Sequence, residues 1–123
     1  MQCHACDLRA EVENDWTDLT GSPKPAPNQL DTFVHQAVDD WRRLPLRQAV
    51  WALAEHAEKL TRRPDDCERG DIDALRAIGW SDKEIHDAVQ VAAYFNYINR
   101  VADGLGVTDE PGLPRWGTGE DSP

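Results

Sequence analysis

Apolar residues recur along this chain at intervals of three and four, the spacing of one helix face, and Pro or Gly stands near the points where the pattern stops. Leu8, Val12 and Trp16 fall four apart and predict a short helix over residues 1–16. Residues 17–28, Thr-Asp-Leu-Thr-Gly-Ser-Pro-Lys-Pro-Ala-Pro-Asn, read as a Pro-rich linker with little helix potential. Helical periodicity is then sustained over residues 29–107. Residues 108–123, with Pro111-Gly112, Pro114 and Gly117-Thr118-Gly119, read as a disordered tail in which Trp116 is the residue that could dock on the body.

Within residues 29–107, Asn28 is placed to cap a helix whose apolar face is Leu30, Phe33, Val34, Ala37, Val38 and Trp41, and Pro45 breaks it. The next helix presents Leu46, Val50, Leu53, Ala54, Ala57 and Leu60 and stops before Pro64. A third carries Ile72, Leu75 and Ile78, with Gly79 as its C-terminal glycine. Ser81-Asp82-Lys83-Glu84 is a capping box that opens the longest helix, expected to run to Asp103 and end at Gly104. That helix has Ile85, Ala88, Val91, Ala92, Phe95, Ile98 and Ala102 on one broad face and Tyr94, Tyr97 and Val101 on the other, so burial on both sides is expected. Asn96, Asn99 and Asp103 form a polar line whose expected partners lie on a neighbouring helix or subunit. No strand pattern competes. The class is all-α, an antiparallel bundle completed by other chains.

The 123 residues allow one domain with a modest core. No run approaches the roughly 18 apolar residues of a membrane span, and the start lacks the basic-then-apolar order of a signal peptide, so a cytoplasmic protein without a membrane partner is expected. A net charge of −10 argues against nucleic acid, which needs a basic patch. The pairs Arg42-Arg43 and Arg62-Arg63 stand where helices should end, a position that favours cations. Three cysteines do not make a disulfide framework. Cys67 falls in a polar turn, whereas Cys3 and Cys6 have the spacing of a redox pair.

Three strings carry more than periodicity: Ala57-Glu58-Lys59-Leu60-Thr61-Arg62-Arg63-Pro64, the run Asp71-Ile72-Asp73-Ala74-Leu75-Arg76-Ala77-Ile78-Gly79-Trp80-Ser81-Asp82, and the stretch from Asp87 to Val107 containing AYFNYINRVADGLGV. Together, over roughly Leu30 to Val107 and with Trp41-Arg42-Arg43, they resemble the uncharacterised peroxidase-related enzymes of the alkylhydroperoxidase D-like, carboxymuconolactone decarboxylase superfamily. The resemblance implies an all-helical homo-oligomer that reduces a hydroperoxide substrate through a Cys-x-x-Cys pair. A His follows four residues after the second Cys, an acidic residue lies upstream, and a thiol or disulfide electron donor restores the pair. No cofactor or metal is implied. A thiolate is the nucleophile in such chemistry, and a second thiol resolves the sulfenic acid.

The chain departs from the family pattern. If Cys3 and Cys6 are the pair, the motif His position is Ala10. If His4 is the motif His, then Ala5-Cys6-Asp7-Leu8-Arg9 continues the motif helix and the pair falls before Met1. The second register fits better, and on it residues 1–16 are a remnant of the redox-motif helix. Within the chain the candidate catalytic residues are Cys3 and Cys6, Cys6 reactive and Cys3 resolving, with His4 nearby. A non-catalytic helical half-domain that oligomerises is the alternative, and a metal site from Cys3, His4, Cys6 and Cys67 is a third. His35 is expected to be solvated, His56 to lie opposite the Ala54-Ala57 stripe and His86 on a polar face. Trp41, Trp51, Trp80, Tyr94 and Tyr97 read as packing residues.

Overall fold

The computed structural model describes residues 2–108, 111, 112 and 117, with the backbone alone for residues 2–6. Every regular element among them is helical: α1 (Gln2–Thr20), α2 (Pro27–Asp39), a 3-10 turn (Trp41–Arg43), α3 (Gln48–Arg62), a second 3-10 turn (Pro64–Asp66), α4 (Arg69–Ile78) and α5 (Asp82–Leu105). The fold is all-α. No helix among the described residues is long and apolar enough to cross a membrane. Packing divides the chain into two compact units, Met1–Arg47 with Asp109–Pro123, and Gln48–Thr108. The helical region read from sequence as residues 29–107 is therefore divided: α2 packs with α1, and the second unit begins at α3.

In the first unit α1 and α2 close on Val12, Trp16, Leu30 and Phe33, with Leu8, Leu19, Leu44 and Leu46 around them. The Trp16 and Phe33 rings meet edge to face, centroids 5.6 Å apart. The first helix is longer than its apolar spacing suggests. Nothing before Gly21 (φ +74) breaks it, Leu19 extends its apolar face into the core, and Thr20 Oγ1 donates back to the Trp16 carbonyl at 2.8 Å. Residues 17–20 thus belong to α1, and the linker shrinks to residues 21–26. The Arg47 amide donates to the Leu19 carbonyl at 2.9 Å and its Nε to the Asp18 backbone carbonyl, tying Arg47 to the end of α1. Between the helices, Arg9 Nε donates to Asp31 at 2.7 Å.

Asn28 does not cap α2. Pro27 occupies the first helical position, which needs no amide donor, and Gln29 Oε1 accepts the Ala26 amide at 2.8 Å. The helix ends at Asp39, before Trp41, because Asp40 turns extended and its carboxylate accepts the Arg42 amide at 3.1 Å. Trp41-Arg42-Arg43 consequently form a 3-10 turn, with the Arg42 guanidinium 4.5 Å from the Trp41 ring centre.

In the second unit α3, α4 and α5 pack together, and Leu75 and Ile85 are its two buried apolar residues. Leu46 precedes α3, which starts at Gln48. Trp80 Nε1 donates to the Ala49 carbonyl at 2.9 Å, pinning the start of α3 to the turn after α4. Gly79 (φ +120) closes α4 as its spacing predicts. Ser81 Oγ accepts the Glu84 amide and Glu84 Oε1 accepts the Ser81 amide, both at 3.1 Å, completing the capping box. The far end of α5 differs from expectation. Gly104 stays helical and Gly106, left-handed at φ 68, ends the helix, with its own amide and that of Val107 closing on the Asp103 and Ala102 carbonyls.

Candidate functional site

The start of α1 carries the sequence-derived redox candidates. The backbone of residues 3–6 is helical, while the side chains of Cys3, His4 and Cys6 lie outside the described residues. Cys67 terminates the second 3-10 turn and is a half-buried free thiol whose Sγ lies 4.0 Å from the Arg63 carbonyl. Among the described residues no group of three or more His, Cys, Asp or Glu is arranged to hold a metal ion.

The histidines divide. His86 is exposed on α5 beside Gln90, as its sequence position suggests. His56 is half-buried and lines a groove of about 280 Å³ between α3 and α4, with Lys59, Arg63, Asp71 and Leu75. There Lys59 Nζ holds both Asp71 oxygens at 3.0 and 2.9 Å, and Asp71 also accepts the Glu68 amide at 2.9 Å. That amide first, and the lysine second, hold the Asp71 carboxyl below the usual carboxylate range. The same ion pair raises Lys59 above its ordinary value.

His35 overturns its expectation. It is 7% exposed on α2, and its Nδ1 accepts a 2.9 Å hydrogen bond from the amide of Gly117, 82 residues further on. The position of His35 beside Phe33 and Val34 was the available signal, but no periodicity announces a glycine 82 residues away as its partner. Of the expected tail, Gly117 is buried, and Trp116 lies outside the described residues.

The last helix also departs from its reading. Ile85 is its one buried residue, and burial on both sides is not what the structure shows. Val91, Tyr94, Tyr97 and Leu105 are 56%, 59%, 64% and 75% exposed. The reason is supply: α3 and α4, of 15 and 10 residues, pack against a helix of 24. Of the polar line, Asn96 finds its partner on α3, its Oδ1 accepting from Thr61 Oγ1 at 3.1 Å. Asn99 and Asp103 face solvent. An open groove of about 500 Å³ runs along Leu60, Pro64, Ala93, Tyr97, Arg100 and Val101. Tyr94 stacks edge to face on Phe95, centroids 5.6 Å apart, and both rings stay exposed.

A third concavity, about 390 Å³, belongs to the first unit, where Trp16 and Phe33 meet Lys24, Gln29, Thr32 and Gln36. Sequence reasoning missed it, because the mixed polar and aromatic wall forms only when α1 packs on α2. Against known proteins, no family model matches the chain, and no curated protein matches it either.

Proposed function

We propose that the chain is a peroxidase-related thiol oxidoreductase of the alkylhydroperoxidase D-like type, working through Cys6 and Cys3. What supports this reading is the helical backbone of Cys3-His4-Ala5-Cys6 in the opening turns of α1, where a helix N-terminus favours a thiolate. The strings that carry the resemblance lie on α3, α4 and α5. In the proposed cycle the Cys6 thiolate attacks one peroxide oxygen, the O–O bond breaks, and the alcohol leaves with a proton that His4 is suited to supply. The Cys6 sulfenic acid then condenses with the Cys3 thiol, releasing water and forming a disulfide. A dithiol donor returns two electrons and two protons.

The test is peroxide consumption by the reduced protein alongside thiol titration. Wild type should turn over hydroperoxide with loss of two titratable thiols, and Cys6→Ser should fall to the background rate. Equal rates for the two proteins would end this reading.

A second reading, an oligomerisation module, is favoured by one observation: the exposed Val91, Tyr94, Tyr97 and Leu105 on α5. Contiguous apolar surface on a small protein marks an interaction site. On this reading two copies associate through α5. Sedimentation over a range of concentrations should show mass rising with concentration, and Tyr97→Asp should lower it. A monomer at every concentration would count against it.

A further inference from the structure

We propose that the concavity between α1 and α2 is a binding site for a small organic monoanion, a single carboxylate carried on a slim, flat apolar body. The inference goes beyond the thiol chemistry of Cys3 and Cys6 and beyond the α5 surface, and it uses residues of neither.

Separate stretches of the first unit build the walls. Trp16 comes from the end of α1 and Phe33 from α2, while Pro23 and Pro45 add apolar surface from the loops before α2 and before α3. Both prolines fix the local backbone, which helps to hold the wall in shape. Along α2, Asn28, Thr32 and Gln36 follow one another four residues apart, so they stand in one row on the helix face. The volume of about 390 Å³ lies at the small end of the roughly 300–1,000 Å³ typical of small-molecule sites.

The polar groups of the wall divide into used and unused. Thr20 Oγ1 donates to the Trp16 carbonyl and Gln29 Oε1 accepts the Ala26 amide. The side chains of Lys24, Asn28, Thr32 and Gln36 have no hydrogen-bond or ion-pair partner among the described residues. Each carries at least one N–H or O–H donor. Unused donors converging beside an apolar floor are what orients a bound small molecule.

Charge narrows the ligand. Lys24 is the one charged residue lining the site, and none of the 23 Asp and Glu side chains of the sequence lines it among the described residues. A doubly charged phosphate calls for a second cation. One ammonium with neutral donors around it matches one carboxylate, whose hydrogen bonds it strengthens by charge. Trp16 and Phe33 are 6% and 4% exposed, so the floor is a narrow aromatic strip. Such a strip suits a flat ring meeting it edge to face or offset.

The probe is benzoate, titrated into the full chain and followed by nitrogen–proton NMR of the side-chain N–H groups of Trp16, Asn28 and Gln36. In wild type these signals should shift and saturate at about 1–10 mM, the affinity ordinary for a ligand of so few atoms. The indoles of Trp51 and Trp80, in the second unit, should stay in place. Benzamide keeps the ring without the charge, and acetate keeps the charge without the ring. Each should bind at least about tenfold more weakly. Lys24 is an exposed loop residue, so Lys24→Gln leaves the fold intact. That variant should lose about tenfold in affinity for benzoate and none for benzamide. The site would be overturned by the absence of a saturable shift at Trp16, Asn28 and Gln36, or by equal shifts at Trp51 and Trp80. Equal affinity for benzamide or acetate, or benzoate binding unchanged in Lys24→Gln, would overturn it as well.

Discussion

The two units use the same kind of helix to different ends. The first surrounds a few large apolar residues so completely that Val12, Leu30, Phe33 and Val34 are each at most 4% exposed, with Trp16 at 6%. The second has more helix and less interior: α3 has no fully buried residue, and α4 and α5 supply one each, Leu75 and Ile85. Aromatic content does not explain the contrast. Trp16 and Phe33 of the first unit face inward, whereas Tyr94, Phe95 and Tyr97 of the second face outward. The difference teaches that the first unit closes its own core, while the second leaves on α5 the kind of surface that helices normally bury.

The largest effects should come from the first unit. Trp16→Ala removes an indole from between Leu30 and Phe33, and a loss of about 3–5 kcal/mol is expected, the usual range for deleting a buried aromatic. Urea unfolding followed by helix content measures it. In the second unit Leu75→Ala should cost about 2–5 kcal/mol, since Leu75 is its most buried side chain. Tyr97→Ala, by contrast, should change the stability of the monomer by no more than about 0.5 kcal/mol. If Tyr97→Ala destabilised the chain as much as Leu75→Ala at high dilution, the contrast between the units would collapse.

A smaller effect isolates the cap of α5. Ser81→Ala deletes the acceptor for the Glu84 amide, and about 1 kcal/mol should be lost. Glu84→Gln retains a side-chain acceptor for the Ser81 amide and should be milder. Thermal unfolding of the two variants side by side reads the difference. Identical melting temperatures for Ser81→Ala and wild type would show that the long exposed helix does not depend on its first turn.

How much of this was legible beforehand follows from the range over which each feature is decided. The cap at Ser81 and Glu84 and the glycine end at Gly79 depend on four or five neighbouring residues, and both stand where their spacing put them. The all-α class follows equally from local period. Features that need a partner were misjudged. Residues 17–20 looked like linker, yet Leu19 has a core to reach once α2 folds back. His35 looked solvated because the residue that covers it, Gly117, is 82 positions away. On α5 the error ran the other way: apolar residues on both faces implied burial, but sequence does not reveal how much cover α3 and α4 can provide. Of the candidate redox residues, the structure speaks to the helical backbone and not to the sulfur atoms.

The smallest expected effect tests whether electrostatics compensates for the thin core of the second unit. Asp71 joins α4 to α3, accepting from the Glu68 amide and from Lys59, and its folded pKa is lowered, the amide contributing most. A lowered carboxylate stabilises the fold at pH values above its unfolded titration, near pH 4. That contribution is lost as pH falls through the lower folded value. Lys59 is raised by the same pair, so its share is present below its unfolded titration, near pH 10, and is lost as pH rises through the folded value. The ion pair therefore acts in full across the neutral range and fades at both extremes. Asp71→Asn should melt slightly below wild type at neutral pH, by less than Ser81→Ala, because asparagine can still accept the Glu68 amide. The gap should begin to narrow as pH falls below about 4, the unfolded titration, and should close once pH has passed the lowered folded value, where wild type loses its charge as well. A gap that stayed constant down to acid pH would assign the contribution of Asp71 to its hydrogen bond with Glu68 and leave the second unit without an electrostatic substitute for buried apolar surface.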